Sequence, residues 1–503
     1  MVTREVWDSL REIPHPSPGI YDFERAMQAP YMEIMQRGFK VNQSARHAAA
    51  NELHERLNVL SGMLNEMGWA VWGKGVNPRS PLQLRELFYH AMHLPEVWLS
   101  QKGERKLSTN REALEKLEVY MHPRPIISCI LAIRDIAKQL EVLETQIDSD
   151  GRFRAGYNIA GTETGRPSSS KNAFGTASNA QNISPALRFP FEADLGYRMC
   201  VIDLEQVEAR DVGFFCGVLF DDWAFLDACE SGDLHSSNAR RIWPELPWTG
   251  DKKKDREIAD RNFYREFSYR DMAKRGSHLS NYSGTAWTAA RSLKVPLQIM
   301  ENFQSRYCRG ENAAFPCIAR WWQWTAEQLQ TKGYLTTPFG RTRHFFGRPD
   351  DDTTLREAIA FQPQSTTADR MNLGMWRVWK YMPEVQLLAQ TYDSITFQYR
   401  EDLDENSIIS RAMELIRVDL EWNGRVYWVP GDAKVGWNWG GQVSEEDIAK
   451  ARKKAHEAEA LGLRPQRIPR LNPGGLVKWK PGFAESRTRI TASSGLLSLL
   501  QEE

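Results

Sequence analysis

Along this chain the spacing of apolar positions switches between two periods. Ile395, Phe397 and Tyr399 alternate with Thr396 and Gln398, the period of two expected of a half-buried strand. A second apolar run, "VQLLAQ" at 385–390, precedes it, so the pair predicts a hairpin turning at Tyr392, Asp393 and Ser394 with one carboxylate at its tip. Met199 to Ile202 reads as a third strand; Asp203 then starts a turn into a helix carrying Glu205, Gln206, Glu208 and Arg210. Helical spacing governs 21–38, apart from Pro30, and the segments after Ser80 and Ser108, both of which open with helix-start chemistry. It also governs a charged region from 250 to 330 and the charged segment opened by Ser444, "SEEDIAKARKKAHEAEAL".

Between these lie polar stretches. Residues 150–190 are rich in Gly, Ser, Thr and Asn and predict a surface loop long enough to need a reason. The opening around "PHPSPG" reads as a loop, and the Pro-, Gly- and Arg-rich end reads as a flexible basic tail that docks a partner, contacts DNA or is inert. There is no internal repeat. At 503 residues the chain exceeds one compact core, so several subdomains are expected. Lys plus Arg and Asp plus Glu balance at 65 each, which argues against a globally cationic binding module while leaving room for a locally basic groove. Cys129, Cys200, Cys216, Cys229, Cys308 and Cys317 form no CxxC pair, favouring reduced thiols and excluding a structural zinc finger. No apolar run approaches a membrane span and "MVTREVWDSLREIP" has no signal core, so the expected location is cytoplasmic, in the host if the chain is viral.

The chemistry centres on Asp393. A lone carboxylate at a hairpin tip is either solvated turn chemistry or a metal ligand, and a ligand needs a partner. Asp203, at the end of another apolar strand, is the candidate. If the two strands are neighbours in one sheet, both carboxylates converge at its rim, a donor set suited to paired hard divalent cations.

Around these residues the motifs resemble those of the family A, DNA polymerase I-like, DNA polymerases. "DLEQVEAR" resembles motif A, usually Asp-Tyr-Ser-Gln-Ile-Glu-Leu-Arg, and "TYDSI" occupies the place of motif C, His-Asp-Glu. "YRDMAKRGSHLSNYSG", at 269–284, is similar to motif B: Arg270, Lys274, His278 and Tyr282 recur every four residues and share one helix face, spanning about 120°. "TETGRPSSS", "NAQNIS", "SGDLHSSNA", "GYLTTPFGRTRHF" and "REAIAFQPQSTTAD" resemble further family segments in the family's order. "VNPRSPLQL" and "KLSTNREAL" look like its thumb, and "GWNWG" like its C-terminal end. The resemblance spans roughly residues 21–440, and the phrasing is closest to bacteriophage members.

What the resemblance implies is an α+β multidomain, right-hand palm, fingers and thumb fold, with an antiparallel palm sheet and helical fingers and thumb. The expected boundaries are an N-terminal tail at 1–20, base helices and thumb at 21–150, palm at 151–215, fingers at 216–330, palm again at 331–440, and a C-terminal helix and basic tail at 441–503. The implied activity is template-directed primer extension with deoxynucleoside triphosphates. Asp203, Asp393 and the carbonyl of Leu204 would hold two Mg2+ ions, with Mn2+ as a substitute, and Lys274 would assist the leaving pyrophosphate. Arg270, Lys274, His278, Tyr282, His235, Gln206 and Glu208 would form the nucleotide site, Glu208 excluding a 2′-hydroxyl. Arg166, Asn179, Gln181, Asn182, Arg341, Arg356, Gln364 and Tyr392 would touch primer-template DNA. The chain is expected to act as a monomer. Nothing upstream of residue 21 could house a proofreading exonuclease, so editing would be absent or supplied by another protein, with a processivity factor as a further partner.

The departures from the family are Tyr392 and Ser394 around Asp393, Glu205 where Ser is common, His278 in place of Phe or Tyr, and Ala360 in place of an Asn. Two other readings stay open. A single-subunit RNA polymerase shares the palm and both aspartates, and Glu208 argues against it. A catalytically weak, primer-template binding protein of polymerase fold is permitted by the unusual motif C, and the retained Asp203, Asp393, Arg270 and Lys274 argue against that.

Overall fold

The computed structural model describes residues 4–5, 8–9, 18–101, 104–265, 267–460 and 468–480. Its centre is a five-stranded sheet made of β1 (Tyr197–Leu204), β2 (Val385–Thr391), β3 (Ser394–Arg400), β4 (Gly431–Gly436) and β5 (Val477–Lys478), in the spatial order β2-β3-β1-β4-β5. Every neighbouring pair is antiparallel. The expected hairpin of β2 and β3 forms, with a turn of two residues, because Ser394 already pairs with Thr391.

β3 is not half-buried. It lies between β2 and β1, and each residue from Ser394 to Tyr399 is buried. Ile395, Phe397 and Tyr399 enter one core together with Cys200, Ile202 and Leu204 of β1. On the other face Met199, Val201, Leu388 and Ala389 join a second core built on Phe39, Phe153, Phe191 and Trp439, where the Phe39 and Trp439 rings stack 4.7 Å apart. A polar residue survives in such a strand only if its groups are bonded. Gln398 meets that condition: its Oε1 accepts from the Asp194 amide at 2.9 Å, and its Nε2 donates to Asp194 at 2.7 Å and to Gln386 at 2.8 Å.

Helices cover the first core. α1 (Pro18–Arg37) continues through Pro30, where the sequence predicted an interruption. The 14–17 part of the expected opening loop lies outside the described residues. α2 (Gln43–Trp72) and α3 (Arg124–Leu143) build a separate helical lobe around Leu64, Leu84, Phe88, Leu114, Ile127 and Ile130. In that lobe Ser80 caps a helix at Pro81–Arg85 as expected, its Oγ accepting from the Gln83 amide. The next helix starts two residues later than predicted, at Arg111, because Asn110 rather than Ser108 supplies the capping oxygen.

α4 (Val207–Phe220) and α5 (Leu234–Ile242) precede the charged region, which is mainly helical as read. It contains a helix at Lys252–Ala259, α6 (Tyr269–Asn281) and helices at Ala286–Leu293, Leu297–Gln304 and Pro316–Thr331, broken by a short antiparallel pairing of Asn262–Tyr264 with Phe267–Ser268. α7 (Asp352–Tyr381) passes beneath the sheet with Pro363 inside it. Residues 150–190 are mainly irregular, with short strands and single turns. α8 (Glu445–Ala460) matches the helix predicted after Ser444.

The C-terminal expectation needs correction. Residues 468–480 are not a loose tail: they add β5 to the sheet and bury Trp479, whose amide donates to the Ala433 carbonyl at 2.8 Å. Residues 461–467 and 481–503 lie outside the described residues. Among the described residues no helix is long and apolar enough to cross a membrane.

α7 is tied to α4 by a buried charge network. Arg370 donates to Asp211 at 3.0 Å and to the Val418 carbonyl at 2.7 Å, while Tyr427 and Thr367 donate to the same carboxylate at 2.7 and 3.1 Å. Removing the cation alone strands a buried carboxylate. Arg370→Leu is therefore expected to destabilise the fold by about 3–5 kcal/mol, read as a lower urea midpoint; a change within about 0.5 kcal/mol would mean the network carries no such load.

Candidate active site

The sheet register decides where the two candidate carboxylates go. Ser394 faces Asp203 across β3 and β1, so Asp393, the second turn residue, lies beside the end of β1. The Leu204 amide donates to the Asp393 carbonyl at 3.0 Å. Tyr392 takes a positive φ of 55°, a conformation costly for an aromatic residue, and it persists because the turn is over-determined. Gln390 donates to the Tyr392 carbonyl at 2.7 Å, and Ser394 to the Thr391 carbonyl at 3.1 Å.

Burial, then the negative charge of Asp393, pushes the Asp203 carboxyl up to about 7. Burial also raises Asp393, and Glu208 adds to it. Two carboxylates kept where their ionised forms are disfavoured, with the adjoining Leu204 carbonyl, are a donor set that a hard divalent cation fits. No cluster of three or more His, Cys, Asp or Glu suited to a metal occurs among the described residues. Water and phosphate oxygens would complete the shell, as Mg2+ favours.

α4 and α6 wall a cleft of about 330 Å³ beside this pair, lined among others by Gln206, Glu208, His235, Lys274, His278, Tyr282 and Asp393. Gln206, also at positive φ (54°), turns the chain from β1 into α4, and its Oε1 is buried without a partner. Glu208 is clamped from two sides, accepting from the Tyr282 hydroxyl and from Arg166. Ser268 and Asp271 form a reciprocal cap that starts α6. One face of α6 then presents Lys274 and His278, with Tyr282 just past its end, and the His278 and Tyr282 rings meet edge-on at 5.7 Å.

Arg270 is on the same helix face, but Asp233 engages it with two bonds, at 3.1 and 3.3 Å, and engages Arg256 at 3.0 Å. Burial would raise the Asp233 carboxyl, yet the bonds from Arg270 and Ser236 outweigh it and hold the group well below the usual range. Burial, then the cations Arg270 and Lys274, lowers His235 to about 4, so its ring is neutral at physiological pH, with Nδ1 buried and unpartnered.

The residues expected to touch DNA divide. Arg166, Tyr392 and Asn182 form one flank of the site: the Arg166 guanidinium lies 5.7 Å from the Tyr392 ring centre, and the Tyr392 hydroxyl donates to Asn182 at 3.0 Å. Asn179 caps the short turn that follows it, accepting from the Gln181 amide at 2.9 Å. Two expectations are corrected. Gln181 is buried, its amide directed at Gln390, so it braces the β2–β3 turn from behind. Arg341 is buried too, bonded to Asp369 at 2.8 and 3.0 Å and to Glu24 at 2.6 Å. A Cβ on Gly165 would lie 2.5 Å from the Arg341 guanidinium, so Arg341 seats the loop that carries Arg166. Exposed Arg356 and half-buried Gln364 lie on α7, outside the cleft lining.

Sequence reading missed Asp233, which holds Arg270, Asn238 and Ser277, which line the cleft and share a hydrogen bond of 3.3 Å, and Asp432, which faces Asp203 across the sheet. Asp432 was accessible, since "GDAKVG" alternates polar and apolar positions as a one-faced strand does. The pairing of Asp233 with Arg270 had no local signal.

A family model described as DNA polymerase family A matches residues 46–440. The chain is 25% identical over 407 residues to the thermostable DNA polymerase I of Thermus filiformis, covering 78% of this chain and 45% of that protein. It is 24% identical over 423 residues to DNA polymerase I of Pseudomonas aeruginosa, covering 80% and 42%. The chain thus spans less than half the length of these relatives. Among solved structures it is similar to the POL domain of Pol1 from M. smegmatis in complex with DNA primer-template and dNTP, with a TM-score of 0.66 and 22% identity, covering 82% of this chain and 69% of that one.

A carboxyl whose pKa rises on folding makes its ionised form a cost to the fold. That cost is absent below about pH 4, grows up to the folded pKa and persists above it. Asp203→Asn is therefore expected to stabilise the metal-free protein by about 1–3 kcal/mol at pH 8, with the gain shrinking as the pH falls from 7 to 5. Urea unfolding in EDTA across that range checks it; equal or lower stability at pH 8 would contradict the electrostatic account.

Proposed function

The chain belongs to DNA polymerase family A, and from that premise we propose that it is a template-directed DNA polymerase extending a primer 3′-hydroxyl with deoxynucleoside triphosphates. One observation carries the proposal: Asp393, Glu208, His235, Lys274, His278 and Tyr282, from distant parts of the chain, line a single cleft at the end of the central sheet. The likeness to a POL domain in complex with primer-template and dNTP supports it.

In this reading the sheet is the palm, assembled from 151–215 and 331–440 with the fingers, 216–330, inserted between them. The lobe of α2 and α3 within 21–150 is the thumb. The pairing of β1 with β3 and β4, far apart in sequence, supports a split palm. The reading keeps the sequence expectations of a cytoplasmic monomer of bacteriophage type.

Asp203, Asp393 and the Leu204 carbonyl would hold two Mg2+ ions, or Mn2+ in their place. When bound, such ions acidify the primer hydroxyl and neutralise charge on the departing pyrophosphate. The chain's own groups do the rest. Lys274, exposed in the cleft, offers the leaving pyrophosphate a proton or a positive charge. Neutral His235 can donate one hydrogen bond to a phosphate oxygen without adding charge. Arg270 can clamp the triphosphate once the phosphates compete with Asp233 for it. Glu208, fixed between Tyr282 and Arg166, would oppose a ribose 2′-hydroxyl. Arg166, Asn182 and Tyr392 would meet the primer end, with Asn179, Arg356 and Gln364 along the duplex.

Primer extension in Mg2+ tests the reading. The native chain is expected to incorporate deoxynucleotides, and Asp393→Asn to lose about 10³-fold or more in rate with primer-template affinity retained; no extension by a native chain that binds primer-template would refute it. Glu208→Ala is expected to raise the ratio of ribonucleotide to deoxynucleotide incorporation, and an unchanged ratio would remove Glu208 from discrimination.

A further inference from the structure

β5 lies beyond the family match, which ends at residue 440. Its attachment is extensive. Asn438 and Asn472 exchange side-chain hydrogen bonds at 2.8 and 3.0 Å, the Leu476 amide donates to the Gly440 carbonyl at 2.7 Å, and Arg470 pairs with Glu52 at 2.5 Å. Such anchoring fixes the position of the short strand and of its one cationic residue, Lys478.

The register shows what Lys478 reaches. Asp432 of β4 faces Asp203 of β1, so across β3, β1 and β4 one row reads Ser394, Asp203, Asp432. Two residues along, the next row reads Thr396, Val201, Lys434 and, on β5, Lys478. Directly opposed residues share a sheet face with Cβ atoms about 4.5–5.5 Å apart, and like charges there repel. Asp203 thus has a second carboxylate neighbour, on the side away from Asp393. Lys478 Nζ lies 2.8 Å from Asp432 Oδ1, and Lys434 Nζ lies 4.0 Å from Oδ2.

We propose that Lys478 is a positioning residue for the cation site: by engaging Asp432 it prevents that carboxylate from drawing a divalent cation to the β4 side of Asp203, so that Asp203 works with Asp393. The proposal rests on the reading of Asp203 and Asp393 as cation ligands. A polymerase sheet ending at β4 would leave Asp432 with Lys434 alone, at the longer distance. β5 supplies the closer partner.

The test uses Lys478→Gln, Lys478→Arg and the double variant Lys478→Gln, Asp432→Asn in the full chain. Two quantities are measured: Mn2+ binding to the protein by electron paramagnetic resonance of the free ion, and single-turnover primer extension in Mg2+. Lys478→Gln is expected to tighten Mn2+ binding on the order of tenfold and to slow extension. Lys478→Arg and the double variant are expected to restore both, because one returns the cation and the other removes the competing charge. Unchanged Mn2+ binding in Lys478→Gln would overturn the proposal, leaving the pair a surface contact. If the double variant extends as slowly as Asp203→Asn, Asp432 is itself a ligand, which also overturns it. Failure of the native chain to extend primers would strike the polymerase reading instead, and the Mn2+ comparison would still decide the pair.

Discussion

The structure is organised around a repulsion. Asp203 and Asp393 are brought together in a partly buried site where their ionised forms are disfavoured, and the fold must supply rigidity enough to keep them there. That rigidity comes from β3, a strand buried on both faces that pairs with β1 in unbroken register from Ser394 to Arg400 and with β2 across one irregularity between Leu387 and Ala389. A slip of one residue would move Asp203 to the opposite face and put Ile202 in its place. The turn itself is strained at Tyr392, and three consecutive carbonyls, of Thr391, Tyr392 and Asp393, are each bonded to hold it.

Arginines at this site divide between folding and chemistry. Arg341 and Arg370 are buried and carry paired carboxylates, Asp369 with Glu24 and Asp211. Buried ion pairs of this kind contribute little net stability, and their value here is specificity: each connects segments remote in sequence in only one arrangement. Arg341 links α1, α7 and the loop around Gly165, and so fixes the base from which Arg166 reaches Glu208. Arg166 and Arg270 differ: Glu208, which lines the cleft, holds the first and Asp233 the second, before any substrate is present. Preorganisation of this type lowers the reorganisation needed when phosphate or sugar arrives.

The edge of the sheet follows the same electrostatic logic. Asp432 adjoins Asp203 through backbone register, and Lys478 answers it from a strand that belongs to no matched part of the family. The charges on this face thus lie on three strands, Asp203 on β1, Asp432 and Lys434 on β4 and Lys478 on β5, and their balance depends on the C-terminal segment being docked.

What the sequence determined by itself were the features written in local periodicity and ordered motifs: the β2–β3 hairpin, the helices of the charged region, the face shared by Lys274 and His278, and the family. Alternation along β3 revealed a strand and concealed its burial, because the polar side of a central strand and that of an edge strand look alike until the neighbours are known. Arg341 and Gln181 read as nucleic-acid contacts, since a polar side chain carries no mark of the partner it will find; Asp369 and Gln390 became those partners only through folding. The C-terminal segment looked like a tail for a related reason: a two-residue strand has no period, and β4 supplies the edge that makes it one. Local pattern fixes which backbone conformation a segment favours, but the pairing of charges between segments hundreds of residues apart is decided only when the sheet register brings them together.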